Sequence, residues 1–308
     1  MDKADIVPVI LAGGMGRRLR PLTGEKAPKP FLRLFSDQSL FQGAVLRGAA
    51  YGDGAPIIVC HEAYISFVQE QLAEINVTPR QIIVEPAHKG TATAIALAAF
   101  SLKNQGKSML VMPSDHVLGG GQDALSFSVE KAMSHVAENF ILMGAKPTRP
   151  ETGYGYIVYD TQGCDDDKNV MRVKKFVEKP DRAGARTLLK SEAAFWNTGI
   201  FLVRPRIYLR SLEKFEAELY KQCERSFYAH KEEGQLCYPA KEEFFKILPI
   251  SVDYAVMEHC DNAFVCSLSV DWSDVGTWPR LIQTKISYAI KKRANGQYPS
   301  SNSQRKVS

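Results

Sequence analysis

Residues 11–18, LAGGMGRR, set Gly13, Gly14 and Gly16 and two arginines directly behind an apolar run, and Lys29 follows in the segment PKPFL. Glycines let backbone N–H groups turn toward a phosphate with no Cβ in the way. Arg18 adds a fork of fixed donors and Lys29 a point charge, so the loop, entered through Leu11 and Ala12, is suited to a polyphosphate. It is neither of two common phosphate loops. A dinucleotide fingerprint needs a glycine where Leu19 stands, and a Walker loop needs a closing G-K-[ST] that is absent. A Gly-rich turn with solvated arginines is the simpler alternative.

Further along, charged and small residues stand at the ends of apolar runs. Asp115 follows SMLVMPS, at the carboxyl edge where an α/β sheet holds its ligands; a helix N-cap would also explain it. Glu85 ends QIIVE, just before Pro86. Glu178 and Lys179 in FVEKP are neighbours that an extended chain points to opposite faces, with a solvated charged turn as the alternative. Asn197 and Gly199 are polar and small inside WNTGIFLV, which costs stability unless something approaches closely or accepts hydrogen bonds. Gly153 and Gly155 in GYGYI read as close-approach positions or as a β-bulge. Asp253, with Ser251, either caps a helix running through Met257 or faces a ligand. Asp271 reads as a surface group at a strand end, and His116 as a structural, hydrogen-bonding histidine.

The elements that must position these residues follow from periodicity. VPVILA, APIIVC, QIIVE, SMLVM and FILMGA alternate with segments long enough for crossover helices, the rhythm of a parallel α/β sheet. Pro8 lacks a backbone donor and is expected to mark the start of the first strand. The clearest helix covers 91–104, with Thr91 as its N-cap. After residue 150 the pattern becomes an antiparallel excursion: GYGYIVYD and VMRVKKFVEKP flank the polar TQGCDDDKN, and WNTGIFLVR is a further strand. One long helix is expected over 205–229, and AFVCSLSV is a last strand.

Composition narrows the function classes. With 308 residues and 45% hydrophobic content the chain buries a sizeable core without a structural metal. No run is long enough to cross a bilayer, and the acidic N-terminal residues do not resemble a signal peptide, so a cytoplasmic protein with no membrane partner is expected. The six cysteines form no C-x-x-C pair, and reduced thiols are expected, a Cys260–Cys266 disulfide being the alternative. The net charge of +5 is concentrated in residues 285–308, where Lys285, Lys291, Lys292, Arg293, Arg305 and Lys306 meet no acid. The rest of the chain is close to neutral, which argues against a nucleic-acid partner. Residues 291–308 read as a polar, disordered basic tail.

Taken together, LAGGMGRRLRPLT with PKPFL, EPAHKGTATAIALAA, MPSDHV, GYGYI, FVEKP, WNTGIF, SVDYAVME and WSDVGTW, in this order, resemble the sugar-1-phosphate nucleotidyltransferases. The resemblance runs from about residue 6 to 285 and is strongest to the guanylyltransferase branch that takes mannose 1-phosphate. It implies a Rossmann-like, mixed but mainly parallel sheet flanked by helices, with an antiparallel sugar-binding excursion. A transferase domain would span 1–290, its nucleotide half reaching about residue 145 and its sugar-phosphate half 146–290.

The implied substrates are GTP and mannose 1-phosphate, the implied cofactor Mg2+ on Asp115 and Asp274, and a homo-oligomer is left open. Nucleotide contacts fall to Leu11, Ala12, Gly13, Gly14, Gly16, Arg18, Lys29, Glu85, Gly90, Thr91 and Asp115. Sugar-phosphate contacts fall to Gly153, Gly155, Glu178, Lys179, Asn197, Gly199 and Asp253. Arg18, Lys29, Asp115 and Lys179 would carry catalysis. The chain departs from the family pattern in the nucleobase segment, where R-N-T-A-P-A is replaced by Lys89 to Ala94, and again at Arg20 and in PKPFL. Another sugar 1-phosphate or nucleotide, and a regulatory subunit that binds without turnover, therefore remain as alternatives.

Overall fold

The structure, a computed structural model, describes residues 5–119, 123, 125–164, 169–191 and 193–294. Its strands are β1 (Ile6–Ala12), β2 (Ile57–His61), β3 (Gln81–Glu85), β4 (Ser108–Pro113), β5 (Val117–Leu118), β6 (Phe140–Ala145), β7 (Tyr156–Cys164), β8 (Val170–Val177), β9 (Ala194–Val203), β10 (Lys231–Glu233), β11 (Leu236–Tyr238), β12 (Ala263–Ser267) and β13 (Trp272–Ser273). Eleven of them form one sheet in the order β10-β11-β3-β2-β1-β4-β9-β6-β12-β8-β7, and β13 pairs with β5 separately. The β3-β2-β1-β4 block is parallel, so its carboxyl ends share one edge. β9 runs antiparallel between β4 and β6, which brings its amino-terminal half back to that same edge.

Central strands buried on both faces must be apolar throughout, and β1 obeys this with Ile6, Val7, Val9, Ile10 and Ala12 all buried. Pro8 is the third residue of β1 rather than its first. The sheet tolerates it because the ladder to β2 begins only at Val9, leaving Pro8 with no partner on that side.

Helices cover both faces: α1 (Leu40–Gly48), α2 (Ile65–Glu74), α3 (Thr91–Leu102), α4 (Ser126–Ala132), α5 (Arg182–Lys190), α6 (Pro205–Phe215), α7 (Ala217–Tyr228), α8 (Lys241–Lys246), α9 (Val252–Ala255) and α10 (Trp278–Ala294). One core joins α3, α6, α7 and α8 to the sheet, and a second joins α1, α2 and α4 to its other face. α3 is apolar nearly all round because both the sheet and α6–α7 enclose it.

Several expectations are corrected. The helix expected over 205–229 is two helices, broken where Glu216 leaves helical geometry (φ −136°, ψ 61°). Apolar spacing runs unbroken through the break, so periodicity carries no sign of it. Thr91 is not the N-cap of α3; Gly90 is, with φ 88°. The helix expected through Met257 stops at Ala255, where Val256 breaks it before a single 3-10 turn. α10 continues to Ala294, so residues 291–294 are helical rather than tail; residues 295–308 lie outside the described part. Cys60, Cys223, Cys237, Cys260 and Cys266 are free thiols, which excludes the Cys260–Cys266 disulfide. The side chain of Cys164 lies outside the described residues.

Candidate functional site

Lys29 is the centre of the first cluster. Its side chain is 3% exposed, and its ammonium donates to Asp115 Oδ2 at 2.8 Å and to the Asp274 carbonyl at 2.5 Å. Residues 86 and 245 positions away in the chain thus meet on one cation. The approach depends on Gly16, whose φ is 70° and whose place would put a Cβ 2.5 Å from Lys29 Cβ. Burial pushes the Asp115 carboxyl upward, but Lys29 and His116 outweigh it and hold the group below its ordinary value.

Asp274 is held from three sides. Its Oδ1 accepts from Tyr154 Oη at 2.7 Å, from Arg280 at 2.7 Å and from Gly276 N–H at 3.1 Å. Arg280 also pairs with Glu151 at 2.5 Å, and Arg18 lies against Gly276, 3.1 Å from where a Cβ would sit. His116 accepts from Trp272 Nε1 at 3.3 Å and turns its Nε2 to within 3.7 Å of Asp115 Oδ1, the structural role its sequence context suggested. Asp271 is exposed, at a strand end as expected.

The second cluster gathers Gly155, Glu178, Lys179, Asn197 and Asp253. Asn197 Nδ2 donates to Asp253 Oδ1 at 2.9 Å, and its Oδ1 accepts from Gly199 N–H at 3.0 Å. A Cβ on Gly155 would fall 2.6 Å from Glu178 Oε2, which makes it a close-approach position outside any strand, not a bulge. Glu178 and Lys179 do not point apart. Lys179 has φ 44°, in the left-handed region, and its ammonium hydrogen-bonds Glu178; strand geometry ends at Val177, so the alternation rule no longer applies. Asp253 is raised to about 6 by burial and then by Glu178, with Lys179 opposing. It pairs with Asn197 instead of capping α9.

The polar interruption of β9 is itself a bulge. Between Leu142↔Phe201 and Gly144↔Asn197 the ladder shifts register, and Thr198 donates to Met143 O at 2.6 Å. Gly199, with φ 69°, lies 3.2 Å (at its would-be Cβ) from Pro113 and 4.0 Å from His116. That contact joins the two clusters along one sheet edge.

Other expected residues sit less centrally. Leu11 and Ala12 end β1, with Leu11 O accepting from Ser114 N. Gly13 and Gly14 follow; Gly14 has open space beside it, and Gly13 faces Glu85 Oε2 and His88 Nδ1. Glu85 is buried, its Oε1 has no hydrogen-bond partner, and burial raises its pKa to about 8. Gly153 is not beside Gly155's cluster; its N–H donates to Glu151, next to Arg280. Thr91 turns its hydroxyl away to accept from Val252 N–H at 2.9 Å, and a Cβ on Gly90 would fall 2.1 Å from Ile250 O. Lys89 donates to the carbonyls of Phe245 and Ile247. The segment that departs from the family pattern is therefore a seam between α3 and the chain before α9.

Sequence reasoning missed Tyr154, Glu151 and Arg280, which orient Asp274, and the stacked pair His61–His88 with ring centroids 4.4 Å apart beside Gly13. Arg280 stands six residues after Asp274 in WSDVGTWPR, a spacing that the first turn of α10 converts into contact.

The residues present fit a hard divalent cation. Asp115 Oδ1 and Asp274 Oδ2 are left outside every described hydrogen bond, and the missing Cβ of Gly276 keeps space open beside Oδ2. Among the described residues no group of three or more His, Cys, Asp or Glu could hold a metal unaided, so phosphate oxygens must complete any such shell.

The chain that builds these two clusters is similar over most of its length to known proteins. The chain is 39% identical over 278 residues to the alginate biosynthesis protein AlgA of Pseudomonas aeruginosa, covering 89% of this chain and 57% of AlgA. It is 37% identical over 279 residues to a mannose-1-phosphate guanylyltransferase of Klebsiella pneumoniae, covering 90% and 59%. The chain thus spans a little over half the length of these relatives. A Thermus thermophilus structure described as mannose-1-phosphate geranyltransferase superposes with a TM-score of 0.77 at 26% identity, covering 96% of this chain and 80% of that one. The family model described as nucleotidyl transferase matches residues 7–290, so that almost the whole described fold, both clusters included, lies within it: the chain belongs to the nucleotidyl transferase family.

Proposed function

We propose that the protein transfers a guanylyl group from GTP to mannose 1-phosphate, giving GDP-mannose and pyrophosphate. The observation that carries this reading is the meeting of Lys29, Asp115 and Asp274 across the edge from the Glu178–Lys179–Asn197–Asp253 cluster. A seat that sets a lysine beside two carboxylates able to hold a divalent cation thus faces a seat rich in hydroxyl partners. Relatives at 37–39% identity include one named for this activity. On this reading residues up to about 145 bind the nucleotide and 146–290 the sugar phosphate, as one domain.

The attacking group is already a phosphate oxyanion, so no general base or covalent intermediate is needed. The obstacle is bringing two anions together at low dielectric. Arg18 and Lys29 neutralise triphosphate oxygens, and Lys179 neutralises the sugar phosphate. Backbone N–H groups of Gly13, Gly14 and Gly16 add donors without charge. Asp115 and Asp274 would hold Mg2+, whose Lewis acidity supplies further neutralisation on the phosphates. Asn197, Glu178 and Asp253 orient the sugar so that its phosphate oxygen lies in line with the α-phosphorus, and such orientation removes on the order of 7–11 kcal/mol of barrier.

Glu85 supports guanine over other bases. Its Oε2 lies beneath the loop, 3.7 Å from where a Cβ on Gly13 would sit, and guanine offers a ring N–H and an amino group side by side. Pyrophosphate release, assayed over a matrix of NTPs and sugar 1-phosphates with and without Mg2+, tests the whole reading. Release that is highest with GTP and mannose 1-phosphate and dependent on the metal is expected. Higher release with another pair would replace the substrates, and none with any pair would favour a binding protein.

A further inference from the structure

Gly13, in the glycine loop, has two polar neighbours of different kinds. The spot where its Cβ would sit is 3.7 Å from Glu85 Oε2 and 3.9 Å from His88 Nδ1. Glu85 ends β3, and His88 follows shortly before α3 begins. The glycine thus leaves a gap that a carboxyl oxygen and an imidazole nitrogen both border.

His88 faces this gap because the residues after it are spent elsewhere. Lys89 donates to the carbonyls of Phe245 and Ile247, Gly90 abuts Ile250 O, and Thr91 accepts from Val252 N–H. The seam with the chain before α9 takes up all three, and His88 is the side chain of this segment that turns to the loop.

The His88 ring stays open to solvent, yet it is held. His61, the last residue of β2, stacks on it with centroids 4.4 Å apart and planes 22° from parallel. The His61 ring is oriented in turn: its Nδ1 accepts from Ala63 N–H at 3.1 Å, which leaves its proton on Nε2. Tyr64 flanks the pair, its ring centroid 5.8 Å from that of His61 and 6.4 Å from that of His88. Partial burial, then His61 and Arg17, lower the pKa of His88, so at neutral pH the ring is uncharged and offers one N–H donor.

A polar edge pinned in this way suits the reading of a base. Guanine presents in a row a 6-oxo acceptor, the N1–H donor and the 2-amino donor. Adenine puts an amino donor in the first place and has no N1–H. A carboxyl oxygen answers the two donors of guanine, and an imidazole N–H answers the acceptor beside them. Against adenine the same N–H would meet another donor, and a mismatched polar pair filters more strongly than a small change of shape.

We propose that His88 is a specificity-determining residue for the nucleobase: its Nδ1–H donates to the 6-oxo group of guanine, next to the N–H groups that Glu85 receives, and His61 is the positioning residue that holds its ring. This contact rests on the guanylyltransferase reading above.

Calorimetric titration of the whole chain with GTP, ITP and ATP tests it without turnover. ITP keeps the 6-oxo group and lacks the 2-amino group. His88→Ala is expected to weaken GTP and ITP alike, by about two- to ten-fold as for one neutral hydrogen bond, and to leave the affinity for ATP unchanged. His88→Gln, whose amide can donate, should keep most of the affinity for GTP. His61→Ala should lower the ratio of GTP to ATP affinity, and His61→Phe, which keeps a stacked ring, should restore it. A loss shared equally by GTP and ATP in His88→Ala would mark a general platform and overturn the assignment, as would no loss at all. An unchanged ratio in His61→Ala would remove the positioning role. GTP binding with the expected His88 dependence but no turnover of any sugar 1-phosphate would sink the transferase reading and leave the base contact standing, whereas no binding of any of the three nucleotides would overturn both.

Discussion

At the scale of single residues, the site rests on one buried ammonium shared by two distant acidic positions. Asp115→Asn keeps the acceptor for Lys29 and removes only charge, so it is expected to leave the fold intact and lower turnover by about two to three orders of magnitude, as for loss of one preorganised electrostatic group. Lys29→Ala should lower turnover comparably and also reduce stability by about 1–3 kcal/mol, because Asp115 loses its partner. Steady-state kinetics with thermal melts of both variants separates the two effects; near-normal turnover in either removes that residue from the site. Glu85 makes a pH prediction. Its folded pKa of about 8 lies above the ordinary 4.5, so the native state holds a proton that the unfolded state has released. Stability therefore falls as pH rises from about 4.5 to about 8 and levels off above that. Glu85→Gln should flatten this slope in melts recorded across the window, and an unchanged slope would show that Glu85 is ionised throughout. The same variant should lose about 0.5–1.5 kcal/mol of preference for GTP over other nucleotides, as for a neutral hydrogen bond, read as a ratio of kcat/KM values.

At the scale of elements, much was legible in the sequence, and what was not has a common cause. Nine strand segments and the helix α3 follow from apolar runs whose length and periodicity admit few alternatives. The positions of Gly16 and Asp115 at one edge follow once the block is parallel, whereas those of Asn197 and Asp253 rest on the antiparallel return of β9 and the hydrogen bond between the two side chains. The break at Glu216, the displacement of Thr91 from the cap and the convergence of Glu178 with Lys179 do not follow. Each is decided by a tertiary contact or by one residue's backbone angles, which leave hydrophobic spacing unchanged. Gly90 shows how such a contact acts. With φ 88° and Ile250 O where a Cβ would be, Gly90→Ala should cost about 1–3 kcal/mol. It should also shift α9, raising the KM for sugar phosphate through Asp253 more than that for nucleotide. Equal changes in both KM values would mean that the seam does not position the sugar cluster.

At the scale of the whole molecule, the proposed nucleotide and sugar halves share one sheet. β9, from the second half of the chain, lies between β4 and β6 from the first, so neither half has a complete core. Far-ultraviolet circular dichroism, which reports the whole chain, and the fluorescence of Trp196, Trp272 and Trp278, which reports only the second half, should therefore give superimposable melting curves. Two separated transitions would show that the halves unfold independently. No helix among the described residues is long and apolar enough to cross a membrane.

The late arrival of β9 matters on the ribosome as well. Leu110 and Ile141 find their shared neighbour Leu202 only when that residue has been synthesised, so for the time needed to add some sixty further residues β4 and β6 present unpaired, apolar edges. Such a nascent chain is exposed to edge-to-edge association. Its yield in a cell should depend on whatever shields those two edges until translation passes Val203.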